Sequence, residues 1–408
     1  MGSTSWLVTA LATLGLIMGQ LVGASAVPKH LEAKRIAPKV MIVSMFKPEA
    51  NAWYANMPLH GFGDLRAVNV STPGLAMLFP YIHCVADLTI CQVTTGEAEI
   101  NAAATMMATV LSPKFDFTKT YFLLAGIAGA NPKHATLGGV ALARYAVQVA
   151  LQYELDAREM PDNFSTPYFA LGTSGPGQYP ENHYGTEVIE LNAALRDAAF
   201  ALASKANLLD DPAALAYRAR YRAHGAFSAG YSLPAVVKCD TATADVYYSG
   251  TLLSEAFENV TKEWTNGTGK YCMTAQEDNA VLEVLVRMAV AELVDFGRVI
   301  LMRTGSDFDR PPPGVSAYDH LVVLDQNGFD IATENIFRAG AAIVRGIIDK
   351  WNCTFEEGIP PTNYIGDIFG SLGGEPDFGP GSWTKGKGGN ISKRGARVAS
   401  KRPRVCGP

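Results

Sequence analysis

A carboxylate held at a strand or helix end can move a proton or accept hydrogen bonds from a ligand, and this chain places two of them about thirty residues apart. Glu277 lies in Thr274-Ala-Gln-Glu-Asp-Asn-Ala280, at the head of a helix whose apolar residues Ala280, Val281, Val284, Leu285, Met288 and Ala289 recur with a period near 3.6. Asp307 closes Arg303-Thr-Gly-Ser-Asp307, just after the unbroken apolar run Val299-Ile-Leu-Met302 that marks a buried strand. Ligands in open α/β sheets bind at the carboxyl ends of strands, so two acids in such places make a candidate active site. The same residues would also serve as a helix-terminal Glu and a loop-capping Asp.

The elements that must hold these acids alternate along the chain. Strands are expected at 40–45, 64–70, 75–79, 88–93 and 121–125, the last running into a glycine loop that contains Gly126 and Gly129. Helices are expected at 97–111, 187–206, 211–223, 252–263, 277–296 and 333–351. Asp211-Pro212 supplies an N-cap followed by Pro at the first helical position. Gly340 and Gly346 in the last helix would permit close packing. Further strands are expected at 233–238 and 245–248, and the long Pro/Gly/Asn/Ser-rich stretch 155–185 reads as a loop that could act as a lid. Helices alternating with strands predict a single layered α/β/α domain with a central mixed twisted sheet.

Five segments in order resemble one family. They are Lys39-Val-Met-Ile-Val-Ser-Met-Phe-Lys-Pro-Glu49, Thr95-Gly-Glu-Ala-Glu-Ile-Asn-Ala-Ala103, Leu124-Ala-Gly-Ile-Ala-Gly-Ala-Asn-Pro-Lys133, Ala244-Asp-Val-Tyr-Tyr-Ser249 and the Glu277 to Asp307 pair. The set is similar to the nucleoside phosphorylase and nucleosidase superfamily, and the whole chain most resembles its fungal-type purine nucleoside permease branch. The resemblance implies a nucleoside phosphorylase-like fold, and strands rather than a helix across 140–153. It also implies purine nucleosides (adenosine, guanosine, inosine) as ligands. Asp307 would protonate N7 of the base, with Asp309 as a neighbour able to take that part. Glu277 would hold the ribose hydroxyls, with Asp278 as the confounder and Gln276 in the same substrate-binding set. Tyr247 would stack on the base, with Tyr248 as the fallback, and Gly126 and Gly129 would let backbone approach the sugar. Asn182, His183 and Tyr184 are candidates for the 5′-hydroxyl. No cofactor and no metal are expected.

The nucleophile follows from the same comparison. Glu49 falls where hydrolytic members carry the Glu that activates water. The phosphate-binding Pro-Gly-Asp-Pro-x-Arg segment is replaced by Phe46-Lys-Pro-Glu-Ala-Asn51, and Ile127 takes the place of a glycine-loop Ser. Hydrolysis is therefore expected over phosphorolysis, with Lys47 left as a possible phosphate contact. An extracellular nucleoside-binding protein that assists uptake is the alternative from another class.

Composition bounds the rest. The 408 residues, 48% hydrophobic and 18% charged, suit an ordinary globular chain. Residues 1–26 read as a signal peptide, with apolar Trp6 to Val22 before Ala24-Ser-Ala26, and 27–37 as a linker or propeptide. The domain is expected over 38–375. Sequons start at Asn69, Asn163, Asn259, Asn266, Asn352 and Asn390, so a secreted glycoprotein is expected. The six cysteines suggest disulfides: Cys84 and Cys91 are close enough to pair locally and Cys239 with Cys272 is a second pairing offered, the connectivity not being readable from sequence. After the signal no uncharged run reaches the roughly 18 residues of a membrane helix, so a channel is not expected. The basic Gly-rich tail 376–408 carries eight Lys/Arg and no acid from Lys385 onward, and without residues 385–408 the formal charge of −5 becomes −13. It is read as a solvated disordered end, with no nucleic-acid partner expected. Homo-oligomers are common among the superfamily's members.

Overall fold

The computed structural model describes residues 34–376 and Phe378. The strands are β1 (Val40–Ser44), β2 (Val68–Val70), β3 (Ile82–Cys84), β4 (Ile90–Thr94), β5 (Tyr121–Ala130), β6 (Val140–Leu142), β7 (Tyr145–Gln148), β8 (Tyr153–Glu154), β9 (Tyr168–Phe169), β10 (Val188–Glu190), β11 (Val236–Lys238), β12 (Asp240–Thr243), β13 (Tyr271–Ala275), β14 (Val299–Phe308) and β15 (Gly366–Asp367). The α-helices are α1 (Lys47–Asn56), α2 (Glu99–Val110), α3 (Ala193–Ala203), α4 (Pro212–Arg218), α5 (Thr251–Trp264), α6 (Asp278–Val290) and α7 (Phe329–Asp349).

All strands but the β8–β9 hairpin join one mixed sheet, whose main path runs β15-β10-β7-β12-β13-β5-β1-β4-β3-β2. β5 pairs in parallel with β1 through its first half and with β14 through almost its whole length. The unbroken apolar runs follow from burial on both faces. In β1, Met41 and Val43 enter the core shared with α2 and α6, while Val40 and Ile42 enter the core shared with α1, α3 and α7. β5 and β14 alternate in the same way. Helices on both faces of a mixed sheet make the expected α/β/α layering. The paired strands across 140–148 also agree with expectation.

Several expected elements differ. The stretch 75–79 forms no strand, being hemmed by Pro73-Gly74 and Pro80. Residues 187–206 are not one helix, because Val188–Glu190 pairs antiparallel with β7 before Asn192 starts α3 by accepting from the amides of Ala194 and Leu195. Residues 245–248 leave the sheet, and the neighbouring strand is instead the polar, fully buried Asp-Thr-Ala-Thr of β12. Gly126 and Gly129 lie inside β5 rather than in a loop. Both expected disulfides are present, Cys84–Cys91 across the β3–β4 pair and Cys239–Cys272 beside β12 and β13. Ile36 already bridges Phe115 within the segment read as a linker. The expected signal peptide and almost all of the basic tail, with Asn390, lie outside the described residues.

Candidate functional site

The carboxyl ends of β1, β12, β13 and β14 and the second half of β5 surround a cleft of about 440 Å³. Five carboxylates line it: Glu49, Glu97, Glu277, Asp307 and Asp325. Arg303 is the one Lys or Arg among the described residues that does so.

Glu49 sits in the first turn of α1, which the Phe46-Lys-Pro sequence starts directly after β1. It is 1% exposed. Its Oε2 accepts from the Met45 amide at 2.6 Å and its Oε1 from the Ile127 amide at 2.8 Å, which fixes the carboxyl between β1 and β5. Burial pushes its pKa up to about 7, against the opposing pull of the Arg303 guanidinium and the two amides. A carboxyl that is part-ionised near neutral pH is suited to general-base work.

Glu277 occupies the N-cap position of α6. Its Oε1 accepts from the Ala98 amide at 3.0 Å and its Oε2 from Arg303 Nη2 at 3.1 Å. Each oxygen keeps a second acceptor site, enough for a pair of hydroxyl donors. Burial raises its pKa and Arg303 opposes the rise. The adjacent Asp278 is fully buried, is absent from the cleft wall, and binds Arg303 Nε and Nη2 at 3.0 and 2.5 Å. The two neighbours therefore do different things.

Asp307 lies one residue before the end of β14, past a bulge at Gly305/Asp307. The bulge turns its carboxyl into the cleft. Oδ2 accepts from the Tyr247 hydroxyl at 2.9 Å, and Oδ1 lies 2.7 Å from Ser306 Oγ. Burial drives its pKa up, and those two hydroxyls pull it back. Asp309 is spent elsewhere, on Arg310 at 2.9 Å through both oxygens and on the Tyr271 hydroxyl at 2.6 Å. Tyr247 is 60% exposed at the cleft and so is no core aromatic, whereas Tyr248 is 8% exposed and packs edge-on against Phe257.

The two strand glycines have separate reasons. A Cβ on Gly126 would stand 2.5 Å from Arg303 Nη1 and 2.8 Å from Glu49 Oε1. One on Gly129 would meet Thr274 Oγ1 at 2.6 Å and Asp307 Oδ2 at 3.4 Å. Glu49 thus sits beside one glycine and Asp307 beside the other, about 10 Å of strand apart. Gln276 lines the same wall and donates Nε2 to the Asp245 carbonyl at 2.7 Å.

The cleft brings Glu49, Glu277, Gln276, Tyr247, Gly129 and Asp307 together, with Gly126 directly behind. It does not include Lys47, Asn182, His183 or Tyr184. The 155–185 loop packs instead toward α5, with Tyr168 on Phe257 and Tyr179 on Trp264. The segment that does line the cleft is Leu321 to Phe329, whose Phe329 meets Phe46 edge-on at 6.3 Å. Its sequence signal is the turn-forming Asp325-Gln-Asn-Gly328 between apolar stretches. Arg303 also went without a role in the sequence. An Arg at the end of an apolar strand must be paired if buried, and that was the available clue.

Fold and cleft together define an α/β protein with one mixed sheet and an acid-lined cleft at its strand ends. The family model for purine nucleoside permease (NUP) matches residues 37–360, and the chain belongs to that family. A purine nucleoside permease of Candida albicans is 45% identical over 351 residues, covering 85% of this chain and 84% of that protein. A probable purine nucleoside permease of Schizosaccharomyces pombe is 41% identical over 353 residues, covering 85% and 97%. Among solved structures, the chain is similar to the 5′-methylthioadenosine/S-adenosylhomocysteine nucleosidase of Neisseria meningitidis at 14% identity and a TM-score of 0.45, covering 76% of this chain and 99% of that one. Futalosine hydrolase of Helicobacter pylori gives 14% and 0.43, covering 77% and 98%. The family membership rests on the sequence matches.

Proposed function

We propose that this chain binds purine nucleosides in the cleft and hydrolyses their N-glycosidic bond to free base and ribose. The observation that carries the proposal is the charge of the cleft wall: five carboxylates against one guanidinium that is already engaged. Such a wall suits a neutral nucleoside and water, and repels a phosphate dianion. Glu277 takes the ribose hydroxyls, with Gln276 beside it. Tyr247, anchored through its hydroxyl to Asp307, offers its ring to the base, and Gly126 and Gly129 leave room for ligand and carboxyls at β5. Asp307, its pKa raised by burial, donates a proton to N7 as the C1′–N9 bond breaks. Glu49, with a pKa of about 7, removes a proton from the water that attacks C1′. The reading uses no cofactor.

The names of the curated relatives favour a second reading, nucleoside binding in aid of uptake without turnover. Among the described residues no helix is long and apolar enough to cross a membrane. The deciding experiment incubates the purified protein with inosine, adenosine and guanosine, with and without phosphate, and follows free base and sugar. Base plus ribose without phosphate supports hydrolysis. Strict phosphate dependence with ribose 1-phosphate would make it a phosphorylase, and binding without turnover would favour the uptake reading. Secretion and N-glycosylation belong to the same proposal, supported by the exposure of Asn69, Asn163, Asn259, Asn266 and Asn352.

A further inference from the structure

Arg303 is the one Lys or Arg lining the cleft among the described residues, yet four of its five N–H donors are already engaged. Its Nε and Nη2 donate to Asp278 Oδ1 at 3.0 and 2.5 Å, Nη2 also to Glu277 Oε2 at 3.1 Å, and Nη1 to the Ile127 carbonyl at 2.9 Å. Of its five N–H donors, one on Nη1 remains, and the Gly126 geometry places that nitrogen beside Glu49. Asp278 is 0% exposed and makes no side-chain hydrogen bond other than to Arg303 among the described residues. Its Oδ2 is buried with no hydrogen-bond partner among the described residues. A buried carboxylate with an idle oxygen is costly to keep unless its charge has a use.

We propose that Asp278 is a specificity-determining positioning residue that locks the Arg303 guanidinium on the buried side of the cleft, so that no cation is free to receive an anionic nucleophile. Water is then the nucleophile admitted beside Glu49. This rests on the hydrolytic reading of the site and deepens it. Planar guanidinium groups bind phosphate strongly when their donors are free, so the lock is what denies phosphate its natural partner. With Asp278 neutralised, Arg303 Nε and Nη2 lose their charged partner behind the wall, and the guanidinium is released to turn toward an anion in the cleft. Phosphorolysis then becomes chemically complete: the C1′–N9 bond breaks, a phosphate oxygen bonds to C1′, and the Asp307 proton goes to N7 of the departing base.

The test titrates inorganic phosphate into the wild-type protein and Asp278→Asn by calorimetry without nucleoside, then identifies the sugar released from inosine with phosphate present. The expected result is no saturable phosphate binding to wild type, at least about tenfold tighter binding to the variant, and ribose 1-phosphate among the variant's products. The double variant Asp278→Asn/Arg303→Met should lose the gain. The lock is overturned if wild type binds phosphate as well as the variant, if the folded variant gains nothing, or if the double variant keeps the gain. Should Asp278→Asn not fold, Asp278→Ser keeps an acceptor beside Nε without the charge. If neither folds, the wild-type titration decides, since saturable binding there contradicts the lock and its absence supports it. The calorimetric readout does not use turnover. A wild type without hydrolysis would sink the proposed activity and leave the lock standing, while an active wild type with an unresponsive variant would sink the lock alone.

Discussion

At the residue scale the site pairs two carboxyls that burial pushes in the same direction and that the proposed hydrolysis requires in opposite protonation states. In the proposed reaction Glu49 acts ionised, so turnover should fall as pH drops through about 7. Asp307 acts protonated, so turnover should fall again as pH rises past its own raised pKa, giving a bell in kcat/KM. Asp307→Asn should cost about 10²–10⁴ in kcat on inosine while leaving base affinity within a few-fold, and normal turnover would remove it from the acid role. Tyr247→Phe deletes a hydroxyl that donates to Asp307 Oδ2 and so favours the ionised form. Its alkaline limb should therefore move to higher pH, and an unmoved limb would disconnect the two residues. Glu277→Gln should raise KM for ribonucleosides more than for 2′-deoxyribonucleosides, because only the former present both hydroxyls.

At the element scale, Glu49 is aimed by α1, and α1 is aimed by its contact with α7. The contact is close because position 340 has no side chain: a Cβ there would stand 2.6 Å from Trp53 Cη2 and 2.8 Å from Cζ2. Trp53 is fully buried on α1, one turn from Glu49. Gly340→Ala should cost about 1–3 kcal/mol by overpacking, read as a lower denaturation midpoint, and should also lower kcat by shifting α1. Lost stability with unchanged kcat would show that Glu49 does not depend on that contact. The glycines of α7 were legible as packing positions from sequence because they interrupt an amphipathic helix, and Gly346 over Leu202 behaves in the same way. The glycines of β5 read as a loop in the sequence but lie within the strand. Strand β5 simply continues through them, since pairing with β14 outweighs the weak local preference of glycine for strand.

At the scale of the whole molecule, Cys239–Cys272 ties the polar strand β12 to β13 across 33 residues of chain. Replacing both by Ala should cost about 3–4 kcal/mol, measured by denaturant unfolding, with the cleft retained at low temperature. Secretion with glycans on exposed sequons predicts a mass that falls on treatment with a peptide N-glycosidase, and an unchanged mass would argue against that route. The sequence by itself determined the layered α/β class and, through the ordered motifs, Glu49, Glu277 and Asp307 as the acids to watch, whereas it offered Cys84–Cys91 and Cys239–Cys272 as pairings without fixing the connectivity. Those features are written in short windows: apolar runs, helix periodicity, and motifs whose order along the chain is itself a signal. What only the tertiary structure decided is which of two neighbouring acids faces the cleft. Asp278 turns to Arg303 and Asp309 to Arg310, because a buried guanidinium must find a carboxylate and takes the one the backbone brings to it. Which loop lines the cleft is likewise tertiary. Residues 321–329 reach it and 155–185 do not, since a loop's length says nothing about which edge of the sheet it crosses.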